Sequence, residues 1–313
     1  MKHFISTRDI PKADAISLLD STLDNVELRK AGGHRKADLN GVTVANVFFE
    51  DSTRTRLSFE VAAHALGADV LTFTTAGSSV SKGESLKDTL KTLEAMGAEV
   101  IVLRHTQSGA AETVVRSGWV NSRIVNAGDG THEHPTQALL DAFTVRSHVH
   151  GAKARGKDLS GVKVLIVGDV LHSRVARSNL SLLSTLGAIV SVAAPRSLQP
   201  RDLGKHGVHA FSTLDDALDN DPHVVMTLRI QRERMASSFF PTESEYSTFW
   251  GMSAVRLAKL SNDAIVMHPG PMNRGLEISS SVADSAQSVV TEQVANGVAA
   301  RMAVLNRIMG GHQ

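Results

Sequence analysis

The stretch Phe48-Phe49-Glu50-Asp51-Ser52-Thr53-Arg54-Thr55-Arg56 joins a strand pattern to a helix pattern. An apolar run over 42–49 predicts a buried strand that ends at the acidic pair. Ser52 is a favourable N-cap residue, and apolar residues at helical spacing follow it, so a helix should begin there. The first turn of such a helix offers unpaired N–H groups and the positive end of the helix dipole. Together with Arg54 and the neighbouring hydroxyls, this turn is typical of a phosphate or oxyanion site.

The two arginines of this stretch are expected to have different roles. Arg54 and Arg56 are two residues apart, so on a helix they point to nearly opposite sides. Only one of them can face a ligand at the helix N-terminus. We expect Arg54 to face the ligand and Arg56 to form a structural ion pair. The alternative is a capped helix with two surface arginines, because short motifs recur by chance.

The composition indicates a globular protein and argues against several functional classes. With 313 residues, of which 42% are hydrophobic and 21% charged, the chain can form two domains. Lys plus Arg (33) nearly equals Asp plus Glu (32), and aromatic residues make up 4%, so no nucleic-acid partner is expected. No apolar run approaches the roughly 20 residues that span a bilayer, and no signal-peptide core follows Met1. The chain has no cysteine, which excludes disulfides and thiolate sites. A cytoplasmic protein without a membrane partner is therefore expected.

Helical patterns alternate with short apolar runs along the whole chain. Gly67, Gly97 and Gly187 each end a helical pattern just before a run that contains β-branched residues. This alternation predicts an α/β fold with two domains, each a parallel β-sheet flanked by helices. An apolar stripe from Thr291 predicts a final helix, and the polar stretch 148–157 predicts a surface connection between the two halves. Strands are expected at 42–49, 70–74, 99–103, 123–126, 162–168, 189–193, 207–211, 223–228 and 263–267.

Six of the predicted strand ends lead into polar, mostly cationic groups. In open α/β sheets, ligands bind beyond the carboxyl ends of the strands. Two sheets that face each other across a cleft would gather these groups around a small anionic ligand. The six segments are 52–55, Arg104-His105, 128–137, Gly168-Asp169 with Arg174, Arg229-Ile230-Gln231 and His268-Pro269-Gly270-Pro271.

These motifs, in this order and over essentially the whole chain, resemble the transcarbamoylase family; segments 229–231 and 268–271 resemble its aspartate-accepting members. The resemblance implies transfer of the carbamoyl group of carbamoyl phosphate to the α-amine of L-aspartate, giving N-carbamoyl-L-aspartate and phosphate, in de novo pyrimidine biosynthesis. It implies an active site in the cleft between the domains and at the subunit interface. Residues 1–135 with a C-terminal helix at 291–310 would bind carbamoyl phosphate, and residues 136–290 would bind aspartate.

The resemblance also implies a set of site residues. His134 and Thr55 would polarise the carbamoyl carbonyl and stabilise the tetrahedral oxyanion. Ser78 and Lys82 would enter the active site of a neighbouring subunit, which implies a homotrimer with shared sites. The expected catalytic residues are Arg54, Thr55, Lys82, Arg104 and His134. The expected carbamoyl phosphate site is Ser52, Thr53, Arg54, Thr55, Arg104, His134, Gln137, Pro269 and Gly270, and the expected aspartate site is Ser78, Lys82, Arg174, Arg229 and Gln231.

Charge favours aspartate as the acceptor. Its two carboxylates need several cations, which Arg174, Arg229 and Lys82 supply. An ornithine enzyme must accept a second ammonium, and its His-Cys-Leu-Pro motif typically carries a cysteine that this chain lacks. The resemblance further implies a cis bond between Gly270 and Pro271.

No metal or organic cofactor is expected. The departing phosphate can accept the proton of the amine, and the sequence contains neither a Walker phosphate loop nor a dinucleotide-binding glycine motif. The pair His132 and His134 is a competing metal motif, but it shows no evident third ligand.

Other hypotheses stay open from the sequence. The chain could carbamoylate another amino acid, or it could be a non-catalytic homologue that acts as a scaffold. A regulatory chain or a dihydroorotase is left open as a further partner. The stretch from Gln231 to Tyr246 is interpreted as a lid over aspartate, with a solvated loop as the alternative.

Overall fold

The computed structural model describes residues 1–32, 36–75, 78, 83–231 and 242–310. The chain divides into two compact units. The first contains Met1–Phe143 and Val294–Gln313, and the second contains Thr144–Gln293.

The first unit is built on a parallel sheet that has four strands among the described residues, in the order β2-β1-β3-β4. Phe4 extends the sheet by a parallel bridge to Val125 of its edge strand. The strands are β1 (Thr43–Phe48), β2 (Asp69–Thr74), β3 (Ala98–His105) and β4 (Arg123–Asp129). The helices are α1 (Lys12–Lys30), α2 (Thr53–Ala65), α3 (Leu86–Ala95), α4 (Ala110–Ser117), α5 (Pro135–His150), which continues into the second unit, and α11 (Val290–Ile308), which begins there.

The second unit has a parallel sheet in the order β7-β6-β5-β8-β9, which counts five strands in the described ranges. Its strands are β5 (Lys163–Val167), β6 (Ile189–Ala193), β7 (His209–Phe211), β8 (Val224–Thr227) and β9 (Ile265–Met267). Its helices are α6 (Arg174–Thr185), α7 (Leu214–Leu218), α8 (Glu243–Trp250), α9 (Ala254–Leu257) and α10 (Ser280–Ala283).

Burial explains why these segments are strands. The inner strands of both sheets are buried along most of their length, and their sequences are accordingly continuous apolar runs. Val47 and Leu103 pack with α3 and α4 on one face of the first sheet, and Val167 and Val225 pack with α7 in the second unit. Each unit therefore has its own apolar core.

The predicted fold is confirmed. Each of the nine predicted strands is found in the part of the chain that the structure describes, with ends that differ by up to three residues. Gly67, Gly97 and Gly187 have φ values of +84°, +100° and +89°, as expected for glycines that end helices. The bond between Gly270 and Pro271 is cis, as predicted. None of the helices in the described ranges is long and apolar enough to cross a membrane.

Candidate active site

The N-terminus of α2 lies directly beyond the carboxyl end of β1. Ser52 has an extended backbone (φ −164°, ψ 99°), and its Oγ accepts a hydrogen bond from Thr55 N at 3.3 Å. Ser52 is thus the N-cap residue, as predicted. Thr53 and Arg54 are exposed in the first turn, whereas Thr55 is buried. The end of the helix therefore presents N–H groups, a hydroxyl and a guanidinium at the sheet edge.

Arg56 behaves differently from its prediction. It is half-buried, and its Nε is buried without a hydrogen-bond partner. No ion pair of Arg56 is found within the described residues. The expected structural ion pair is therefore not observed there.

Arg104 is the residue before the last of β3 and is held in place by an acidic neighbour. Its Nη2 lies 2.7 Å from Glu50 Oε1, and its Nη1 donates to Ala127 O at 3.2 Å. Arg104 is opposite Phe48 in the pairing of β3 with β1. Arg104, which is 8% exposed, therefore lies at the same sheet edge as the N-terminus of α2.

The loop between β4 and α5 carries His134, which is 4% exposed. Asp129 ends β4, and its Oδ1 accepts from Glu133 N at 3.1 Å, which closes the loop. Arg8 Nη2 donates to His132 Nε2 at 2.6 Å, so His132 carries its proton on Nδ1 and donates to Asp129 Oδ2 at 3.0 Å. His132 therefore has an arginine and a carboxylate as partners.

Glu133 ties this loop to the N-terminal segment. Its side chain is fully buried, and its carboxylate accepts from Ser6 Oγ at 2.9 Å and from Thr7 Oγ1 at 3.1 Å. Arg8 Nε lies 3.3 Å from the same carboxylate. The residue next to His134 is thus anchored by three side chains from the beginning of the chain.

Gln137 lies in the first turn of α5, where its backbone N–H donates to His134 O at 3.0 Å. Its Nε2 donates to Asp141 Oδ1, also at 3.0 Å, one turn further along. Both side chains are buried. His134 and Gln137 are therefore held together at the start of one helix.

In the second unit, Asp169 joins two strand ends. Asp169 is fully buried just beyond β5; its Oδ1 accepts from His172 N at 3.1 Å, and its Oδ2 accepts from Gln231 N at 3.2 Å. Ser173 caps α6 through a bond from Ala176 N, so Arg174 is the first helical residue and is 5% exposed. The cation at the β5 end and the amide at the β8 end therefore belong to the same edge.

Arg229 and Gln231 contact each other beyond β8. Arg229 Nη2 donates to Gln231 Oε1 at 3.4 Å, and Gln231 Nε2 donates to Arg229 O at 3.3 Å. Arg229 also lines a cavity of about 590 Å³, together with Glu243, Ser244 and Arg274. The two residues predicted for the aspartate site therefore lie side by side beyond β8.

The segment after β9 is shaped by His268. His268 Nδ1 accepts from Gly270 N at 2.8 Å, so the ring proton is on Nε2, which lies 3.1 Å from Glu277 Oε1. His268 and Glu277 are both buried, each with 1% of its surface exposed. These bonds hold the backbone of Pro269 and Gly270, two residues of the predicted carbamoyl phosphate site.

Each unit gathers part of the predicted site at one sheet edge, because β1, β3 and β4 are neighbours in one sheet and β5, β8 and β9 in the other. The first unit brings together Ser52, Thr53, Arg54, Thr55, Arg104, His134 and Gln137; the second brings together Arg174, Arg229, Gln231, Pro269 and Gly270. Ser78 follows β2 in the sequence, and its Oγ donates a hydrogen bond to Thr75 O at 2.8 Å. Lys82 and residues 232–241 of the predicted lid lie outside the described residues.

The residues that the sequence patterns did not indicate are mainly buried acids. Glu50, Asp129, Glu133, Asp141 and Glu277 each hold a predicted site residue or its neighbour. A signal was present for three of them, since Glu50 closes the strand before Ser52, and Asp129 and Glu133 lie in the polar segment 128–137. The others become evident only from their contacts.

Comparisons with known proteins match both units. The family profile "Aspartate/ornithine carbamoyltransferase, carbamoyl-P binding domain" matches residues 2–147, and "Aspartate/ornithine carbamoyltransferase, Asp/Orn binding domain" matches residues 160–308. The aspartate carbamoyltransferase catalytic subunit of Leifsonia xyli subsp. xyli is 58% identical over 311 residues, which cover 99% of each chain. That of Clavibacter sepedonicus is 58% identical over 312 residues, covering 99% of this chain and 98% of the relative.

Solved structures agree with these relatives. Aspartate transcarbamoylase from Trypanosoma cruzi in complex with N-(phosphonacetyl)-L-aspartic acid is 31% identical, with a TM-score of 0.84 over 97% of this chain and 95% of that chain. The catalytic subunit of M. jannaschii aspartate transcarbamoylase is 37% identical, with a TM-score of 0.82 over 99% and 98%. The resemblance noted in the sequence is therefore confirmed, and this chain belongs to the aspartate/ornithine carbamoyltransferase family.

Proposed function

We propose that this chain transfers the carbamoyl group of carbamoyl phosphate to the α-amine of L-aspartate, giving N-carbamoyl-L-aspartate and phosphate. Its relatives at 58% identity are named aspartate carbamoyltransferase catalytic subunits. The similar Trypanosoma cruzi enzyme has been solved with carbamoyl phosphate, with aspartate and with both together. The reaction belongs to pyrimidine biosynthesis, and we propose a cytoplasmic location for it.

The observation that carries this proposal is the edge of the first sheet, where a capped helix N-terminus, Arg104 and His134 follow three neighbouring strands. A multiply charged phosphate suits N–H groups and a guanidinium, because both donate hydrogen bonds and both carry positive potential. Thr53 and Arg54 would bind the phosphate with Ser52 and Thr55, and Arg104 would bridge phosphate and carbonyl oxygens.

The chemistry follows from these positions. The α-amine attacks the carbamoyl carbon, and His134, Thr55 and Arg104 stabilise the oxyanion that forms on the carbonyl oxygen. The carbon–oxygen bond to phosphate then breaks, and the leaving phosphate takes the proton from the amine. Gln137 and the carbonyls of Pro269 and Gly270 bind the carbamoyl amide. The reaction needs no metal or organic cofactor.

We assign carbamoyl phosphate to the first unit and aspartate to the second. The assigned domains are residues 1–135 with the helix at 291–310, and residues 136–290; the compact units divide nearby, after Phe143 and Gln293. Arg174, Arg229 and Gln231 would bind the aspartate carboxylates. Ser78 and Lys82 would come from a neighbouring chain of a homotrimer.

Acceptor-dependent phosphate release tests this function. The purified chain is incubated with carbamoyl phosphate and L-aspartate, L-ornithine or no acceptor, and both phosphate and the carbamoylated product are measured. We expect release only with aspartate, matched by N-carbamoyl-L-aspartate. Release with ornithine would overturn the assignment of Arg229 and Gln231. No release above the acceptor-free control would favour the scaffold or a required partner chain.

A further inference from the structure

The side chain of Gln137 is held in one orientation by Asp141. A glutamine amide has a donor end and an acceptor end of nearly the same shape, so its surroundings decide which end faces a ligand. Gln137 Nε2 donates to Asp141 Oδ1 at 3.0 Å. An ionised carboxylate can only accept hydrogen bonds, so it selects the NH2 end of the amide and turns Oε1 the other way.

The acceptor end of Gln137 remains available to a ligand. None of the described residues donates a hydrogen bond to its Oε1. The amide lies one turn along α5 from His134, whose carbonyl accepts from Gln137 N. A ligand bound beside His134 would therefore meet a carbonyl oxygen and not an NH2 group.

A buried arginine interacts electrostatically with Asp141. Arg301 of α11 is 3% exposed, and its guanidinium carbon lies 5.1 Å from the centre of the Phe59 ring. Burial lowers the pKa of Arg301 to about 10, while Asp141 acts in the opposite direction, so Arg301 is a cation at neutral pH. The carboxylate of Asp141, which is fully buried, therefore has a cation of α11 as a neighbour in addition to the amide of Gln137.

The packing of α11 leaves room for this cation. Gly297 lies one turn before Arg301, and a Cβ at Gly297 would come within 2.5 Å of Arg301 Nη1 and 3.1 Å of Leu140 Cδ2. Any larger residue would push the guanidinium out of its place between α2 and α5. Gly297 thus leaves space for Arg301, and Arg301 interacts with the carboxylate that binds Gln137.

We propose that Asp141 is a positioning residue that turns Gln137 Oε1 toward the NH2 group of carbamoyl phosphate and so selects a carbamoyl group over an acyl group. The carbamoyl NH2 donates to Oε1, whereas the methyl group of acetyl phosphate, which occupies the same place, cannot donate. This inference rests on the proposed function, because it takes Gln137 to contact the carbamoyl amide.

Selectivity between two phosphate ligands tests the inference without turnover. Dissociation constants of carbamoyl phosphate, acetyl phosphate and inorganic phosphate are measured for the full chain, for Asp141→Asn, for Gln137→Ala and for the double variant. An asparagine at 141 can donate as well as accept, so the glutamine amide is free to turn over. Asp141→Asn should lower the preference for carbamoyl over acetyl phosphate by about tenfold, the equivalent of one lost hydrogen bond.

The ratio of the dissociation constants of acetyl phosphate and carbamoyl phosphate distinguishes a loss of positioning from a general loss of structure. Loss of a negative charge behind the site, or general loosening, changes the affinity for both ligands and for inorganic phosphate together, so the ratio is unaffected. Asp141→Asn should add no further loss of preference when Gln137 is already alanine. Asn25→Ala serves as the matched destabilised control, because it removes a buried bond to Ala299 O of α11 at 3.2 Å without touching Gln137; its ratio should equal that of the wild type.

Either of two results would overturn this inference and leave the proposed function intact. One is an unchanged ratio in Asp141→Asn, and the other is an equal loss in the presence and absence of Gln137. A wild-type chain that binds inorganic phosphate but shows no preference for carbamoyl phosphate would overturn both this inference and the proposed function.

Discussion

Carboxylates, of which Glu133 and Asp141 are buried and Glu50 is partly exposed, orient the functional side chains of this protein. Glu50 holds Arg104, Glu133 anchors the residue next to His134, and Asp141 orients Gln137. A cation or amide with several rotatable bonds reaches one geometry only when an acceptor fixes it, and a buried acceptor is not screened by water. The acidic residues are therefore part of the site although they are not expected to touch the substrates.

Glu133→Gln should uncouple the N-terminal segment from the loop of His134. The amide accepts fewer hydrogen bonds than the carboxylate and loses the charge that attracts Arg8, so a buried hydroxyl of Ser6 or Thr7 is left without its acceptor. We expect a loss of about 2–4 kcal/mol in the free energy of unfolding, measured with denaturant. Turnover should fall as well, because His134 loses its anchored neighbour.

Glu112→Gln provides the matched control. Glu112 and Arg116 form an exposed pair at 3.5 Å on α4, so the same chemical change should alter stability by about 0.5 kcal/mol or less. Equal effects of the two substitutions would show that the contacts of Glu133 contribute nothing beyond those of a surface pair.

Serine caps at helix N-termini recur through the described elements, but they lie in different places. Ser52, Ser85 and Ser173 cap helices that follow β1, β2 and β5; Ser52 comes directly after its strand, whereas a longer loop separates Ser85 from β2. A cap stabilises any helix by satisfying an N–H group of its first turn. Ser52 differs from Ser85 in that predicted site residues, Arg54 and Thr55, follow it in the first turn of its helix.

Ser52→Ala and Ser85→Ala should therefore separate stability from binding. Each removes a side-chain acceptor of one backbone N–H, from Thr55 or from Asp88, and each should lower the free energy of unfolding by about 1 kcal/mol. Only Ser52→Ala should weaken the binding of inorganic phosphate, measured by calorimetry. A similar loss of phosphate affinity in Ser85→Ala would mean that the α2 terminus is not the phosphate site.

The end of α5 and the start of α11 share an ion pair that depends on pH. His148 Nε2 lies 2.9 Å from Glu292 Oε2, and its pKa is raised mainly by this hydrogen bond. A raised folded-state pKa stabilises the fold below the unfolded value near 6.5, and this stability is lost as the pH rises through the folded-state pKa.

His148→Gln should therefore lower the melting temperature at pH 5.5 and have little effect at pH 9. The effect should be small, about 1 kcal/mol or less, because both side chains are partly exposed to solvent. Glu292→Gln should reproduce it, since either substitution removes the same pair. A change in melting temperature that is equal at both pH values would rule out the ionic contribution.

At the scale of the whole molecule, the proposed trimer predicts complementation between inactive variants. Arg54→Ala removes the proposed phosphate contact from a chain's own site, and Lys82→Ala removes the group that the neighbouring chain would supply. In a mixed trimer, one site combines an intact Arg54 with an intact Lys82. Mixing the two variants after mild dissociation should therefore restore aspartate-dependent activity, whereas each variant alone stays inactive.

The mass of the assembly, measured by light scattering, accompanies that experiment. Mixed trimers without any recovered activity would contradict shared sites, and a monomeric mass for the active wild-type chain would contradict the trimer itself. Incubating each variant with itself under the same conditions controls for reactivation by the procedure.

Sequence patterns predicted the strands and helices well because the interactions that start and end these elements involve residues close together in the chain. The run that became β1, the N-cap at Ser52 and the glycine at 67 all act within a few residues, through burial, capping and a positive φ. The predicted ion pair of Arg56 shows the limit, since a guanidinium's partner depends on what packs against the helix and not on its neighbours in the chain.

Alternation of apolar runs, caps and glycines was thus sufficient to define two parallel sheets and to place polar groups beyond their strands. Tertiary structure alone decided how those groups are held. Ser6 reaches Glu133 across 127 residues, and the charge of Arg301 acts on Asp141 from a different helix. The physical reason is that a buried polar group must find its partner wherever the packed chain brings one, and that partner carries no periodic signal in the sequence.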